Sequence, residues 1–291
     1  MKQISVVVFG TGNMGKAFVE YVQENIGWIR IIEPLFTGAV DYDTVEIGNK
    51  TYQVVKPGER EAAIKHILEQ EAGNTLYAVD FTSQEAALGN IKLCLENGIH
   101  LVVGTSMTGE DLVEASKAAK RTGVSMLAAP NMSMGVAAMM RMFKWGAEQF
   151  PTVYADFDGT LDESHQASKA KNGIPTVSAT AKTIVKDILR KFRINITDEE
   201  IKSERNPEIQ VSKWNILKKY LDGHGHHKAK WEKKDNTEAY GFFTIINGRK
   251  PYARGTGASL FTLRERVEAG SRGEVLSMDD VISNPNLPSL P

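Results

Sequence analysis

Ile4-Ser5-Val6-Val7-Val8-Phe9 leads without a break into Gly10-Thr11-Gly12-Asn13-Met14-Gly15, and no other stretch narrows the folding choices of the chain so far. A β-branched apolar run of this kind is the sort buried on both faces of a parallel sheet. A helical pattern follows the glycines. In the order strand, G-x-G-x-x-G, helix, the first glycine makes the tight turn, the second lets a pyrophosphate approach the backbone, and the third lets the helix pack closely. Phosphate would then sit on the helix N-terminus. Gly10, Thr11, Gly12, Asn13, Met14 and Gly15 are therefore candidate cofactor-binding residues.

Strand and helix signals alternate from there. Residues 28–36, 77–82, 100–104 and 124–128 read as strands, separated by helical stretches at 59–71, 84–96 and 109–120, which implies a doubly wound parallel sheet. Residues 40–55, with Gly48-Asn49-Lys50 at their middle, read as a β-hairpin inserted after the second strand. Ligands of such sheets bind at the carboxyl ends of the strands. Asp80-Phe81-Thr82, Gly104-Thr105-Ser106 and Ala129-Pro130-Asn131-Met132 should then edge one crevice, where a nicotinamide would lie. The acid that reads the ribose is not identifiable. Glu33 stands at about the right distance, but the sequence after it continues as strand, and with Phe36 or Thr37 in that place the choice between NADH and NADPH stays open.

Near-neutrality limits the partners: 35 basic and 36 acidic residues offer no global attraction to nucleic acid or to an anionic membrane, so an anionic ligand must be met by a local cluster. A hydrophobic content of 42% over 291 residues allows two domains or one large one, each with a real core. The single cysteine, Cys94, excludes an intrachain disulfide and reads as core packing. No apolar stretch approaches the ~20 residues of a membrane span. Strand-like sequence begins by Ile4, which leaves no room for a signal or transit segment, so a cytoplasmic location is expected.

From Asn131 the sequence changes character. A Met-rich helix runs from Ser133-Met134-Gly135-Val136 to about Glu148, with Met139, Met140 and Met142 as core or interface packing. Residues 154–161 alternate like a strand and deliver Glu163-Ser164-His165-Gln166-Ala167-Ser168-Lys169, which places a carboxylate, an imidazole, an amide and an ammonium within seven residues. An imidazole titrating near neutrality suits proton transfer, and an ammonium beside it stabilises developing negative charge. Downstream, Ser178-Ala179-Thr180-Ala181-Lys182 reads as a helix start whose amides suit a carboxylate. His224, His226 and His227 raise the question of a metal. None is expected, because no Cys or ordered carboxylate partner is apparent and residues 229–233 alternate as a half-exposed strand. Residues 257–268 have helical spacing, and the Pro-rich residues 283–291 read as an extended tail or an arm onto a neighbour.

The ordered set of motifs resembles dihydrodipicolinate reductase, and is closest to the plant-type branch. It comprises Gly10–Gly15, Val79-Asp80-Phe81-Thr82, Val103-Gly104-Thr105-Ser106, Pro130-Asn131-Met132-Ser133-Met134-Gly135-Val136, the Glu163–Lys169 stretch and Ser178–Lys182. The resemblance implies a Rossmann-type α/β fold with a second α+β domain on a mixed sheet: residues 1–131 plus 257–291 for the dinucleotide, and 132–256 for substrate and oligomerisation. It implies hydride transfer from NADH or NADPH to the cyclic imine derived from 4-hydroxy-tetrahydrodipicolinate, a small dicarboxylate, in a homo-oligomer, tetramer or dimer. Carried across by motif, His165 matches the catalytic acid/base and Lys169 the proton donor. Gln166 stands at a substrate-contacting position, and Ala179 and Thr180 match the pair that binds a substrate carboxylate. Two departures fall in the substrate pocket: Ala179 replaces a glycine, and residues 170–177 are enlarged. They support an alternative, a paralogous reductase of another imine or carbonyl acid. A non-catalytic, cofactor-responsive binding protein is the third reading, and retention of both His165 and Lys169 argues against it.

Overall fold

All six residues of β1 (Ile4–Phe9) are buried, as a strand covered on both faces must be. The structure, a computed structural model, describes residues 2–37, 42–171 and 174–291, without the side chains of residues 169–171 and 174. It divides into two units, Met1–Met134 with Lys250–Pro291, and Gly135–Arg249.

In the first unit β1 is followed by α1 (Asn13–Asn25), β2 (Ile29–Ile31), β3 (Leu35–Phe36), β4 (Thr44–Ile47) and β5 (Lys50–Val55). Next come α2 (Arg60–Gln70), β6 (Leu76–Asp80), α3 (Gln84–Glu96), β7 (His100–Val103), α4 (Gly109–Thr122) and β8 (Met126–Ala128). The sheet runs β8-β7-β6-β1-β3-β5-β4, with β2 also on β1, and every pair except β4 with β5 is parallel. Chain order therefore reverses at β1, which makes its carboxyl end the switch point of a doubly wound sheet. Residues 28–36, expected as one strand, form two short ones. Pro34 lies between them, and it brings no N–H to a ladder. The expected hairpin is present as β4 and β5; its first residues, 40 and 41, lie outside the described ones. Cys94 is fully buried in α3, and burial pushes its thiol well up, which suits packing and not reactivity.

The second unit holds α5 (Met134–Gln149), β9 (Phe157–His165), the small hairpin of β10 (Ala170–Lys171) and β11 (Ile174–Pro175), and α6 (Ala179–Ile184), which continues as a π-helical turn. β12 (Ile201–Glu204), α7 (Pro207–Trp214), β13 (His224–Lys233) and β14 (Ala239–Asn247) complete it. The mixed sheet runs β12-β9-β13-β14, parallel only between β12 and β9. Its inner face packs Leu161, Ala229, Trp231 and Phe242 against Ile184, Val185, Ile188 and Leu189. The strand expected from residue 154 starts at Phe157 and runs on through His165, so Glu163 lies within it and not in a turn beyond it. Met139 and Met140 pack against this core, whereas Met142 is 65% exposed.

The chain returns to the first unit with α8 (Lys250–Glu268), β15 (Val275–Leu276), parallel to β8, and α9 (Met278–Ile282). α8 begins seven residues ahead of the expected 257–268. An added Cβ at Gly255 would stand 1.6 Å from Met132 O, so this helix sits directly on the segment after β8. The Pro-rich tail packs on its own unit: Leu290 is buried near Gly257, and Tyr21 Oη donates to Pro291 O at 2.6 Å. Among the described residues no helix is long and apolar enough to cross a membrane.

Candidate active site

The inner face of the mixed sheet changes chemistry within one pleat. In the row Ile201, Leu161, Ala229 and Phe242 it is apolar; two residues on, the aligned row is Ser203, Glu163, His227 and Thr244. Side chains two apart on a strand share a face, so the second row stays on the core side. Ser203 Oγ donates to Glu163 Oε1 at 2.7 Å, Glu163 Oε2 lies 3.7 Å from His227 Nε2, and His227 Nδ1 lies 2.9 Å from Thr244 Oγ1. His165, two residues beyond Glu163, brings its Nε2 to 3.5 Å from Glu163 Oε2 and 3.3 Å from His227 Nε2. One carboxylate and two imidazoles thus converge on one point at the end of β9.

Arg205, just past β12, donates from Nη2 to Glu163 Oε1 at 2.7 Å, with both side chains buried. The amide of Ser178, the residue that caps α6 through its hydroxyl on Ala181 N, donates to both Glu163 oxygens at 3.1 and 3.2 Å. Burial pushes the Glu163 pKa up, but the hydrogen bonds from His165, Ser178 and Arg205 outweigh it and hold the carboxyl well below the usual carboxylate range. Glu163 therefore remains a fixed negative charge beside two imidazoles. His224 and His226 lie in the same strand: His224 Nε2 meets Ser164 Oγ at 3.0 Å, and His226 Nε2 meets Asn247 Oδ1 at 2.9 Å.

In the first unit the glycines close the turn from inside and leave it open outside. A Cβ on Gly15 would stand 1.7 Å from Gly10 O, and one on Gly10, whose φ is +107°, 2.5 Å from Phe81 O. A Cβ on Gly12 would meet nothing within 4 Å. Gly12 caps α1 without a side-chain bond, and no acidic residue stands in the first turn. An uncapped helix start beside open space fits a pyrophosphate. Around it, Phe81 gathers the loops after β1, β6 and β7, because an added Cβ at Gly104 would lie 2.4 Å from its ring and 3.5 Å from the Met132 side chain. Fully buried Asp80 ties these loops together, accepting from Thr82 N and Oγ1, Asn90 Nδ2 and Thr105 Oγ1. Glu33 stands back from the strand end in an ion pair with Lys50, while Thr37 follows Phe36, which is level with Phe9. Thr37 Oγ1 lies 3.2 Å from Thr11 Oγ1, and its carbonyl accepts from Arg60 Nη2 at 2.7 Å.

The remaining sequence candidates divide. Ser106 and Pro130 are exposed, Ala129 and Met132 are buried, and Asn131 Oδ1 accepts from Ser133 N at 2.9 Å. Gln166 Oε1 accepts from Arg249 Nη2 at 3.5 Å; Ala179 is exposed and Thr180 half-buried at the start of α6. Lys169 closes a 3-10 turn, and its side chain lies outside the described ones, as do residues 172 and 173 of the enlarged segment. Arg205, Ser203 and Thr244 carry no motif signal in the sequence, and nothing in the sequence pairs His227 with Glu163. Only strand register could have found them, because each meets Glu163 or His227 across the sheet.

Fold and cluster together define a class: a Rossmann-type unit followed by a mixed-sheet unit that carries a buried acid–base cluster, the architecture of a nicotinamide-dependent reductase. Residues 4–132 match the family model described as dihydrodipicolinate reductase, N-terminus. The chain is 28% identical over 287 residues to 4-hydroxy-tetrahydrodipicolinate reductase 2, chloroplastic, of Arabidopsis thaliana, covering 98% of this chain and 78% of that one. It is also 28% identical over 286 residues to reductase 1 of the same plant, covering 98% and 79%. Dipicolinate-bound dihydrodipicolinate reductase from Paenisporosarcina sp. TG-14 shares the fold, with a TM-score of 0.62 at 18% identity over 94% of this chain and 97% of that one. The chain is similar to the dihydrodipicolinate reductases, and its likeness to the plant proteins extends over nearly its whole length.

Proposed function

We propose that this chain is an NAD(P)H-dependent 4-hydroxy-tetrahydrodipicolinate reductase, which reduces the cyclic imine derived from that compound to tetrahydrodipicolinate in the lysine and diaminopimelate route. The observation that carries this reading is the convergence of Glu163, His165 and His227 at the end of β9, in a chain whose first unit has the open glycine turn at Gly12. The bound dinucleotide supplies the hydride. Gly10–Gly15 hold its pyrophosphate, and the Gly104–Ser106 and Ala129–Met132 segments line the same carboxyl edge of the sheet. Electron density left on the substrate by hydride addition takes a proton, and His165 handles that proton at Nε2. Glu163, its carboxyl held well below the usual carboxylate range, orients the His165 ring and stabilises its protonated form. Lys169, by the family motif, is the second proton donor. Gln166 and the amides at Ala179 and Thr180 meet the substrate carboxylates.

The same reading makes the protein a cytoplasmic homo-oligomer, tetramer or dimer. Exposed Tyr240, Phe243 and Ile245 on the edge strand β14 support association through that sheet. A second reading, a paralogous reductase of another imine or carbonyl acid, draws on Ala179 and on the β10–β11 hairpin, both next to the proposed carboxylate site. The deciding experiment generates the substrate in situ from pyruvate and aspartate semialdehyde with a synthase and follows NADH and NADPH oxidation. Turnover with either cofactor supports the assignment, and none with both transfers it to the paralogue.

A further inference from the structure

We infer that Glu163 Oε2, His165 Nε2 and His227 Nε2 form a three-ligand site for a divalent transition cation of the zinc class, and that its occupancy holds the enzyme inactive. The three atoms stand 3.3, 3.5 and 3.7 Å apart. A zinc ion bound at about 2.0–2.1 Å sets neighbouring tetrahedral ligands roughly 3.3–3.4 Å apart, so all three fit with little movement. Ring placement agrees. The two imidazole centroids are 5.1 Å apart, closer than the nitrogen separation plus two ring radii that a head-on N–H···N pair would give. The two rings are therefore not collinear through their nitrogens, a geometry compatible with both turning towards one point beside the carboxylate.

The surroundings are those of a metal site. His227 Nδ1 faces Thr244 Oγ1, and when it donates there the tautomer presents a lone pair at Nε2. Glu163 Oε1 is held by Arg205 and Ser203, and the Ser178 amide donates to both oxygens, so a cation would share Oε2 with that single N–H. Three buried protein ligands match the ligand count of a zinc site that takes its fourth group from elsewhere, and Ser178 Oγ stands beside them, 3.2 Å from His227 Nε2. Two imidazoles and one carboxylate suit zinc, cobalt, nickel or copper better than magnesium or calcium. The inhibitory consequence rests on the proposed reductase reading: a cation on His165 Nε2 leaves that nitrogen neither proton nor lone pair for the substrate. Binding itself does not rest on it.

The test titrates Co²⁺ into the purified full-length protein and follows the visible band of low-coordinate cobalt, with Zn²⁺ competition for affinity. A single equivalent should bind. His227→Gln and Glu163→Gln should abolish the band, and Thr244→Val, which removes only the outer hydrogen bond, should weaken binding by about 10–100-fold. His226→Asn, on the opposite face of β13, should bind as the parent does. Circular dichroism of each variant separates lost ligands from lost fold, and Thr244→Val keeps the test decisive if Glu163→Gln does not fold. No band, or one that survives in folded His227→Gln, overturns the site. Zn²⁺ should also suppress reductase turnover, reversibly by a chelator, over the range in which it binds; binding without suppression overturns the inhibitory role. If the cation binds but the proposed substrate is never reduced, the site stands and the reductase reading falls.

Discussion

Glu163 and His227 face each other directly across β9 and β13, with the carboxylate Oε2 3.7 Å from the imidazole Nε2. The contact is a product of sheet register: a slip of one residue would turn one of them to the opposite face. Because Glu163 also takes a hydrogen bond from Arg205, its charge ties three strands together at one buried point.

Breaking that tie should cost stability. Glu163→Gln leaves the Arg205 guanidinium buried without its counter-ion, and removing one partner of such a pair typically costs about 3–5 kcal/mol. Urea unfolding at neutral pH should show a loss near the low end, since Gln keeps part of the hydrogen bonding. Replacing both partners, as Glu163→Gln with Arg205→Met, should recover part of it. A single variant as stable as the parent would mean that the pair is not holding the sheet.

His165→Ala should lower kcat by about 10²–10⁴-fold, the span for a lost general acid or base. Dinucleotide affinity should stay as it was, since the glycine turn belongs to the other unit. Steady-state kinetics with the in situ substrate and calorimetry with NADH and NADPH measure the two effects separately. Parent-like turnover by His165→Ala removes the proposed proton step.

The glycines of the first turn should separate fold from binding. Gly15→Ala drives a methyl into Gly10 O and should lower the melting temperature sharply. Gly12→Val points its side chain into open space, so the melting temperature should hardly move while NADH and NADPH affinity collapses. Unchanged affinity in folded Gly12→Val would move the pyrophosphate elsewhere.

Acid stability should carry the signature of His224. Burial, with the His226 and His165 imidazoles adding to it, pushes its pKa down from 6.5 to about 4 against the opposing carbonyl of Tyr220. Between those values the unfolded chain binds a proton here that the folded chain does not, so stability is full above pH 6.5 and declines as pH falls towards 4. The decline should be on the order of 2–3 kcal/mol. His224→Asn should be less stable at pH 7, because Ser164 loses its partner, yet show a flatter profile. Urea midpoints from pH 7 to 4 check both, and an equally steep profile in the variant places the linkage at another group.

Much of the fold was legible because it rests on short-range rules. An apolar strand opening into G-x-G-x-x-G, followed by alternating strands and helices, leaves little but a doubly wound sheet, and α3 and the β4–β5 hairpin lie where periodicity and turn chemistry put them. The misreadings also have local causes. Residues 28–36 read as one strand because apolar periodicity does not register the missing N–H of Pro34. β12 went unseen because Ile-Lys-Ser-Glu is too short and polar to stand out, although it delivers Ser203 and precedes Arg205.

By itself, then, the sequence determined which chemical groups are present and along which elements they run: the glycine turn after β1, the carboxylate and imidazole two residues apart on β9, the histidines of β13. Only the tertiary structure decided which of those groups meet. His227 joins Glu163 and His165 while His226, its neighbour in sequence, turns away to Asn247. The physical reason is that strand alternation assigns each side chain to one of two faces but does not say which face is the core or what stands opposite. That depends on pairing between strands far apart in the chain, and here the pairing carried a polar row one pleat beyond an apolar one.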